Sequence, residues 1–271
     1  MGGSYAYATY YPEGESTIAE TLAIYSREMK HWYREKIAIF MSLIQPLIWL
    51  SLFGNTLGNA PQPFIAGLEA PNYLSFMTPG IVTMTVLFTS LFSGMSIIWD
   101  RRLGFMNKLL VAPISRTSIV AGKMMAATVR GIIQGSIVLA IGLALGVTVD
   151  TGILGAILIF AIIGLFSLGL ASMSIAAAAS MKTHETFFAF INLVNLPLMF
   201  LSNALFPTTF MPEWMRMVAS VNPFSFCVDA VRTLMIGSLD WNRILVDVEA
   251  LIAFTGVTTA LGVIFFKRAT T

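Results

Sequence analysis

The groups in this sequence that could hold a ligand or move a charge are polar side chains set inside long apolar runs. Gln45 precedes Pro46 in one run, Arg130 and Gln134 stand about a turn apart in another, and Asn192, Asn195 and Pro197 share a third. Asp229 and Arg232 are three residues apart, a helical spacing at which opposite charges pair. Such amide and guanidinium groups bind and orient, and none stands beside a base that would make it a nucleophile. The sequence has no GxxxxGK[ST] phosphate loop, no HExxH, no CxxC and no GxSxG. His31 and His184 are far apart in sequence, and the one cysteine, Cys227, cannot form an internal disulfide. The expectation is recognition and passage: no enzyme, no metal and no cofactor in this chain.

The elements that must position these groups follow from composition. Of 271 residues 56% are hydrophobic and 11% charged, whereas a soluble domain carries about 25% charged residues. Disorder is excluded by the same numbers. A net charge of +2 gives no basic surface for nucleic acid. An integral membrane protein remains. A membrane helix needs about 20 mostly apolar residues, and six runs qualify: 37–57, 76–99, 125–147, 153–173, 187–206 and 244–266. They do not alternate in polarity as barrel strands do. The first run begins only at Ile37, behind a charged stretch, so a cleaved signal peptide is not expected. The fold class is all-α integral membrane with six transmembrane helices. Residues 1–36 form a tail and helix, and residues 37–271 form a single transmembrane domain.

Orientation follows from the basic residues. With the N-terminus inside, twelve of the sixteen Lys and Arg fall in cytoplasmic segments. Arg216, Arg232 and Arg243 fall outside, and Arg130 lies within the third span. That bias places both termini in the cytoplasm. The outside basic residues all lie in 207–243. A seventh span at 218–239 would carry Asn222, Pro223, Asp229 and Arg232, each charge costing about 2.5–3.5 kcal/mol at the centre, and would put Lys267 and Arg268 outside. The expectation is therefore short helices that enter the outer leaflet and return. Pro207, Pro212 and Pro223 divide them, and Trp214 and Trp241 suit the outer interface. Asp247 and Glu249 are expected in the first turn of the sixth span, where the helix dipole favours acids.

Residues 1–15 read as a loose tail. Thr17 and Glu20 fit a capping box. Ile18, Leu22, Tyr25, Met29 and Trp32 share one helical face, which suits a helix lying in the cytoplasmic interface or one packed on a soluble partner. The first span follows without a linker, which favours the interface. In the loop 100–123, Leu103, Met106 and Leu110 can share a face of a short helix that Pro113 ends, with Ser115 or Thr117 capping the next. This loop reads either as a basic lipid anchor or as a docking helix. Within the spans, polar residues serve interhelical hydrogen bonds, worth about 0.6 kcal/mol on average, or line a pathway. Arg130 is expected to snorkel to the inner face. Gly131/Gly135 and Gly142/Gly146 indicate close packing.

Two groups of residues carry a resemblance. The loop Gly104, Leu109-Leu110, Pro113-Ile114-Ser115-Arg116 and Lys123 is followed by Asn203-Ala204, Phe206-Pro207, Met211-Pro212, Trp214, Asn222-Pro223, Asp229 and Arg232. In that order and at those places the chain resembles the permeases of type-2 ABC exporters, the ABC-2 type, most of all the daunorubicin-resistance and nodulation subgroup. The resemblance implies a cell-membrane exporter subunit moving an amphipathic, drug-like, lipid or glycolipid cargo. Gly104, Met106, Leu109, Leu110, Pro113 and Arg116 would couple to the ATPase. Asn203, Pro207, Pro212, Trp214, Asn222, Pro223, Asp229 and Arg232 would form an outer re-entrant gate, with Gln45, Asn192 and Asn195 as pathway candidates. Its partners would be two copies of an ABC ATPase, which hold ATP and magnesium, and a second permease, a homodimer before a heterodimer, in membrane lipid. The competing reading is a secondary transporter or channel without an ATPase, and the loop 104–116 discriminates the two.

Overall fold

Local sequence sets the helices, and their small or polar residues set how they meet. The computed structural model describes residues 13–58, 68, 70–112, 114–205, 207–237 and 240–269, with side chains from Thr17 onward and not those of 53–58. Pro113, Phe206 and residues 1–12 of the expected tail lie outside the described residues. The elements are α1 (Glu13–Arg34), α2 (Lys36–Gly58), α3 (Tyr73–Phe92), α4 (Met95–Arg102), α5 (Phe105–Val111), α6 (Arg116–Ala144), α7 (Gly152–Ser180) and α8 (His184–Phe200). A 3-10 turn (Thr208–Phe210), α9 (Glu213–Ala219), α10 (Pro223–Ile236) and α11 (Trp241–Ala269) complete the order. There is no strand among the described residues.

Four stretches are long and apolar enough to cross a membrane: Tyr73–Arg102, which joins α3 and α4, then α6, α7 and α11. The pair α1 and α2, bent by 75°, is a fifth candidate. Helix α8 has 17 residues, about 26 Å of helix against about 30 Å of hydrocarbon.

Helix α7 is apolar all round, as a helix buried among others must be, and it packs on α11, α6, α3 and α10. Small residues permit this. A Cβ on Gly131 would meet Ser167 Oγ at 2.7 Å, and one on Gly94 would meet the Ser174 carbonyl at 2.5 Å. Ser90 and Ser167 hydroxyls, 2.7 Å apart, join α3 to α7 inside the core.

Several local expectations are corrected. Thr17 is not a cap, because α1 begins at Glu13 and Thr17 lies inside it. Glu20 instead accepts from the Ser115 N–H at 3.0 Å. The buried face of α1 carries Ile24 and Glu28 and lies against α6, whereas Ile18 and Leu22 are exposed. That buried face is about a quarter turn from the apolar stripe. The fifth apolar run stops being helical at Phe200, because the Asn222 amide takes the carbonyls of Leu198 and Leu201 at 2.9 and 2.7 Å. Helix α11 begins at Trp241, so Asp247 stands well past its first turn. The acid at that helix start is Asp240, whose carboxylate accepts from the N–H groups of Asn242 and Arg243. Ser115 does cap α6, accepting from Ser118 N–H at 3.0 Å.

Candidate functional site

Three groups of residues form places where charge and cavity meet. The first lies where α1, α4 and α6 converge. Gly122 lets α1 approach α6 closely: a Cβ there would stand 2.7 Å from both the Thr21 carbonyl and Ile24 Cβ. Beside it, Lys123 is 2% exposed. Its ammonium donates to Glu28 at 2.7 Å, Asp100 at 2.6 Å and Ser96 Oγ at 3.1 Å. Arg27 donates to the other Asp100 oxygen at 2.6 Å, and Arg130 Nη2 lies 3.5 Å from Glu28 Oε2. A lone buried ammonium costs several kcal/mol, and paired carboxylates with a further hydrogen bond offset that.

This network holds the short loop helix. Arg27 stacks its guanidinium over the Phe105 ring at 3.7 Å, linking α5 to α1 and, through Asp100, to α4. Gly104 turns the chain between α4 and α5 with φ +70°, a conformation natural to glycine. The expected face of Leu103, Met106 and Leu110 is corrected: α5 starts at Phe105, so Met106 and Leu109 point inward and are buried. Leu103, Leu110 and Val111 are exposed. Arg101 donates to the carbonyls of Met181 and Ala179 at the end of α7. Arg116 donates to the Lys267 carbonyl at 3.3 Å, joining the start of α6 to the end of α11.

The second group lies at α10. Arg232 Nη1 is 3.4 Å from Asp229 Oδ1, and Nη2 donates to the Asn203 carbonyl at 2.8 Å. Its guanidinium sits 4.1 Å over the Phe76 ring. Arg243 Nη2 is 3.7 Å from the same Asp229 oxygen. Asn203, Pro207, Asp229 and Arg232 line one cavity of about 310 Å³, together with Asp240 and Arg243. Asn222 caps α10 through the Phe224 N–H and Pro223 is its first residue. Pro212 precedes α9 and Trp214 is its second residue; neither lines the cavity, and Trp214 is exposed.

The third is a groove of about 340 Å³ between α2, α3 and α6, reached by Trp32 at the end of α1. Gln45, Ser42, Thr85, Ser93 and Arg130 line it among Met84, Phe88 and Phe92. Gln134 donates to Ser42 Oγ at 2.8 Å and meets the Thr89 hydroxyl, tying the three helices together. Of the expected pathway residues only Gln45 lies here. Asn192 is exposed on α8, and Asn195 is buried with Oδ1 lacking a hydrogen-bond partner among the described residues. Arg130, expected to snorkel to the inner face, is largely buried and turned to Glu28 of α1. The charge network escaped sequence reasoning. Its signal was a carboxylate, Glu28, on the α1 face that otherwise offers Thr21 and Ile24, with Asp100 and Lys123 bounding the basic loop.

The chain has relatives among known proteins. Residues 19–236 match the family described as ABC-2 type transporter. The ycf38 chain of Pyropia yezoensis, named as a putative transport permease, is 34% identical over 231 residues, 84% of this chain and 77% of its own. The daunorubicin resistance ABC transporter permease DrrB1 of Streptomyces coeruleorubidus is 25% identical over 84% of this chain and 78% of its own. Nodulation protein J of Rhizobium meliloti is 26% identical over 80% of this chain and 81% of its own.

Proposed function

The chain belongs to the ABC-2 type transporter family, and we propose that it is the permease subunit of an ATP-driven exporter for an amphipathic cargo. Permeases of this family work with an ABC ATPase subunit. The observation that carries the reading here is the attachment of α5. Its outer side exposes Leu110 and Val111, while Phe105 holds Arg27, which holds Asp100, which holds Lys123. A push on the exposed side of α5 therefore reaches α1, α4 and α6 together, through rigid helices and ion pairs. Gly104, Met106, Leu109, Leu110, Pro113 and Arg116 are the coupling residues on this reading.

In this proposal six helices span the cell membrane, α2 and α8 included, with both termini cytoplasmic. Two copies pair and sit on two ATPase subunits that hold ATP and magnesium. The exposed stripe of Ile18 and Leu22 on α1 then faces the lipid interface. The elements of 207–243 enter the outer leaflet, with the cavity of Asn203, Pro207, Asp229 and Arg232 at the pathway's outer end. The name of the daunorubicin resistance relative supports a drug-like cargo.

The test is purification of the tagged full chain in mild detergent, with co-purifying proteins identified. A stoichiometric soluble partner carrying a phosphate loop is expected, and Leu110→Asp should remove it while leaving the permease folded, since Leu110 is exposed. An intact wild-type chain with no such partner would sink the exporter reading in favour of a channel or secondary transporter.

A further inference from the structure

The groove between α2, α3 and α6 has a cation at its base that the protein itself leaves incompletely satisfied. Arg130 is the fifteenth of the 29 residues of α6, so its Cα stands about 21 Å along that helix from either end. Its Nε donates to the Ala126 carbonyl at 3.1 Å, and its Nη2 lies 3.5 Å from Glu28 Oε2. A guanidinium has five donors, and Nη1 makes no hydrogen bond among the described residues. The buried network joins three cations, Arg27, Lys123 and Arg130, to two carboxylates, Glu28 and Asp100. The other carboxylate that attracts Arg130, Glu35, is exposed and lies 3.4 Å from His31. Arg27 is part-exposed to water, so the cation of the network that faces the groove is Arg130.

The groove walls fit the rest of an amphiphile. Phe88, Phe92, Met84 and Trp32 supply apolar surface, and Ser42, Gln45 and Ser93 add hydroxyl and amide groups beside the cation. Pro46, inside α2, cannot donate to the Ser42 carbonyl one turn back, which leaves another polar group at the same level. An ionisable residue within a spanning helix, as Arg130 is in the expected run 125–147, marks a binding or transport position.

We infer that this groove binds the anionic headgroup of a membrane lipid, with Arg130 as its counter-ion and the acyl chain along Phe88 and Phe92. The site rests on α2, α3 and α6 standing in the membrane and does not depend on an ATPase, so its failure and that of the exporter reading are separable.

Native mass spectrometry of the full chain in detergent tests it, with phosphatidylglycerol, phosphatidylcholine and inorganic phosphate as separate probes. The wild type is expected to retain one phosphatidylglycerol per chain about tenfold more tightly than phosphatidylcholine, the effect of a charge-assisted hydrogen bond. Arg130→Gln should abolish the preference while weak binding of both lipids persists. Ala38→Trp, on an exposed position of α2 that lines the groove and touches no ion pair, should reduce binding of both lipids. This second variant keeps the test decisive if Arg130→Gln does not fold. Equal retention of the two lipids by the wild type, an unchanged preference in folded Arg130→Gln, or unchanged binding in Ala38→Trp would overturn the site. So would inorganic phosphate displacing the lipid at matching concentration, since the apolar walls would then contribute nothing.

Discussion

Lys123 and Arg232 each close a junction by satisfying groups that nothing else nearby could satisfy so well. Lys123 stands between Glu28 and Asp100 with almost no exposure. Truncating it removes the ammonium the two carboxylates share and leaves each with one arginine, Arg27 for Asp100 and Arg130 for Glu28, so Lys123→Ala is expected to lower stability by about 1.5–3 kcal/mol, read as an early melt in detergent. A melt matching the wild type would mean that water reaches those carboxylates. Arg232 serves the Asn203 and Phe76 carbonyls and pairs Asp229. Arg232→Ala should cost about 1.5–3 kcal/mol, the worth of hydrogen bonds to a charged group. Because its partners lie on α3, α10 and the stretch after α8, the loss should show as faster proteolysis within 201–212.

At the scale of elements, two glycines act by opposite means. A Cβ on Gly104 would meet nothing within 4 Å, but the residue holds φ +70°, so Gly104→Ala meets only backbone strain, about 1–2 kcal/mol. It is expected to fold, tilt α5 and weaken ATPase co-purification, and unchanged co-purification would show that the turn geometry is not needed for docking. Gly122 has ordinary helical backbone but α1 lies against it. Gly122→Val should lift α1 from α6 and expose Glu28 and Lys123. Protease cutting within 13–34, absent from the wild type under the same conditions, is the readout.

For the whole molecule, the number of helices that cross the bilayer sets the topology. The four long stretches and the bent α1–α2 pair are candidates by length and composition, and α8 is shorter. If α8 crosses, Glu185 at its start and Trp214 beyond its end face opposite compartments. Both are exposed, and the native Cys227 is fully buried, so single cysteines placed there report without background. Glu185→Cys should react with a membrane-impermeant thiol reagent only from the cytoplasmic side and Trp214→Cys only from the outside. Labelling of both from one side would remove α8 from the spans.

Composition and run length were enough to determine that the chain is helical and multi-pass in character, because about 20 consecutive apolar residues have few other stable settings. The cap at Ser115, the spacing of Asp229 and Arg232 and the short helix after the second run were also legible, since each depends on residues a few positions apart. The stripe on α1 was visible, yet which face is buried was not: that depends on Gly122 and Lys123, about a hundred residues away. Likewise the end of α8 is decided by Asn222, and the inward face of α5 by the Gly104 turn and Arg27. The groove at Arg130 exists only where α2, α3 and α6 meet. Local patterns carry the chain's preference for helix and membrane. Ion pairs and cavities belong to helix packing, which brings together side chains that no sequence period relates.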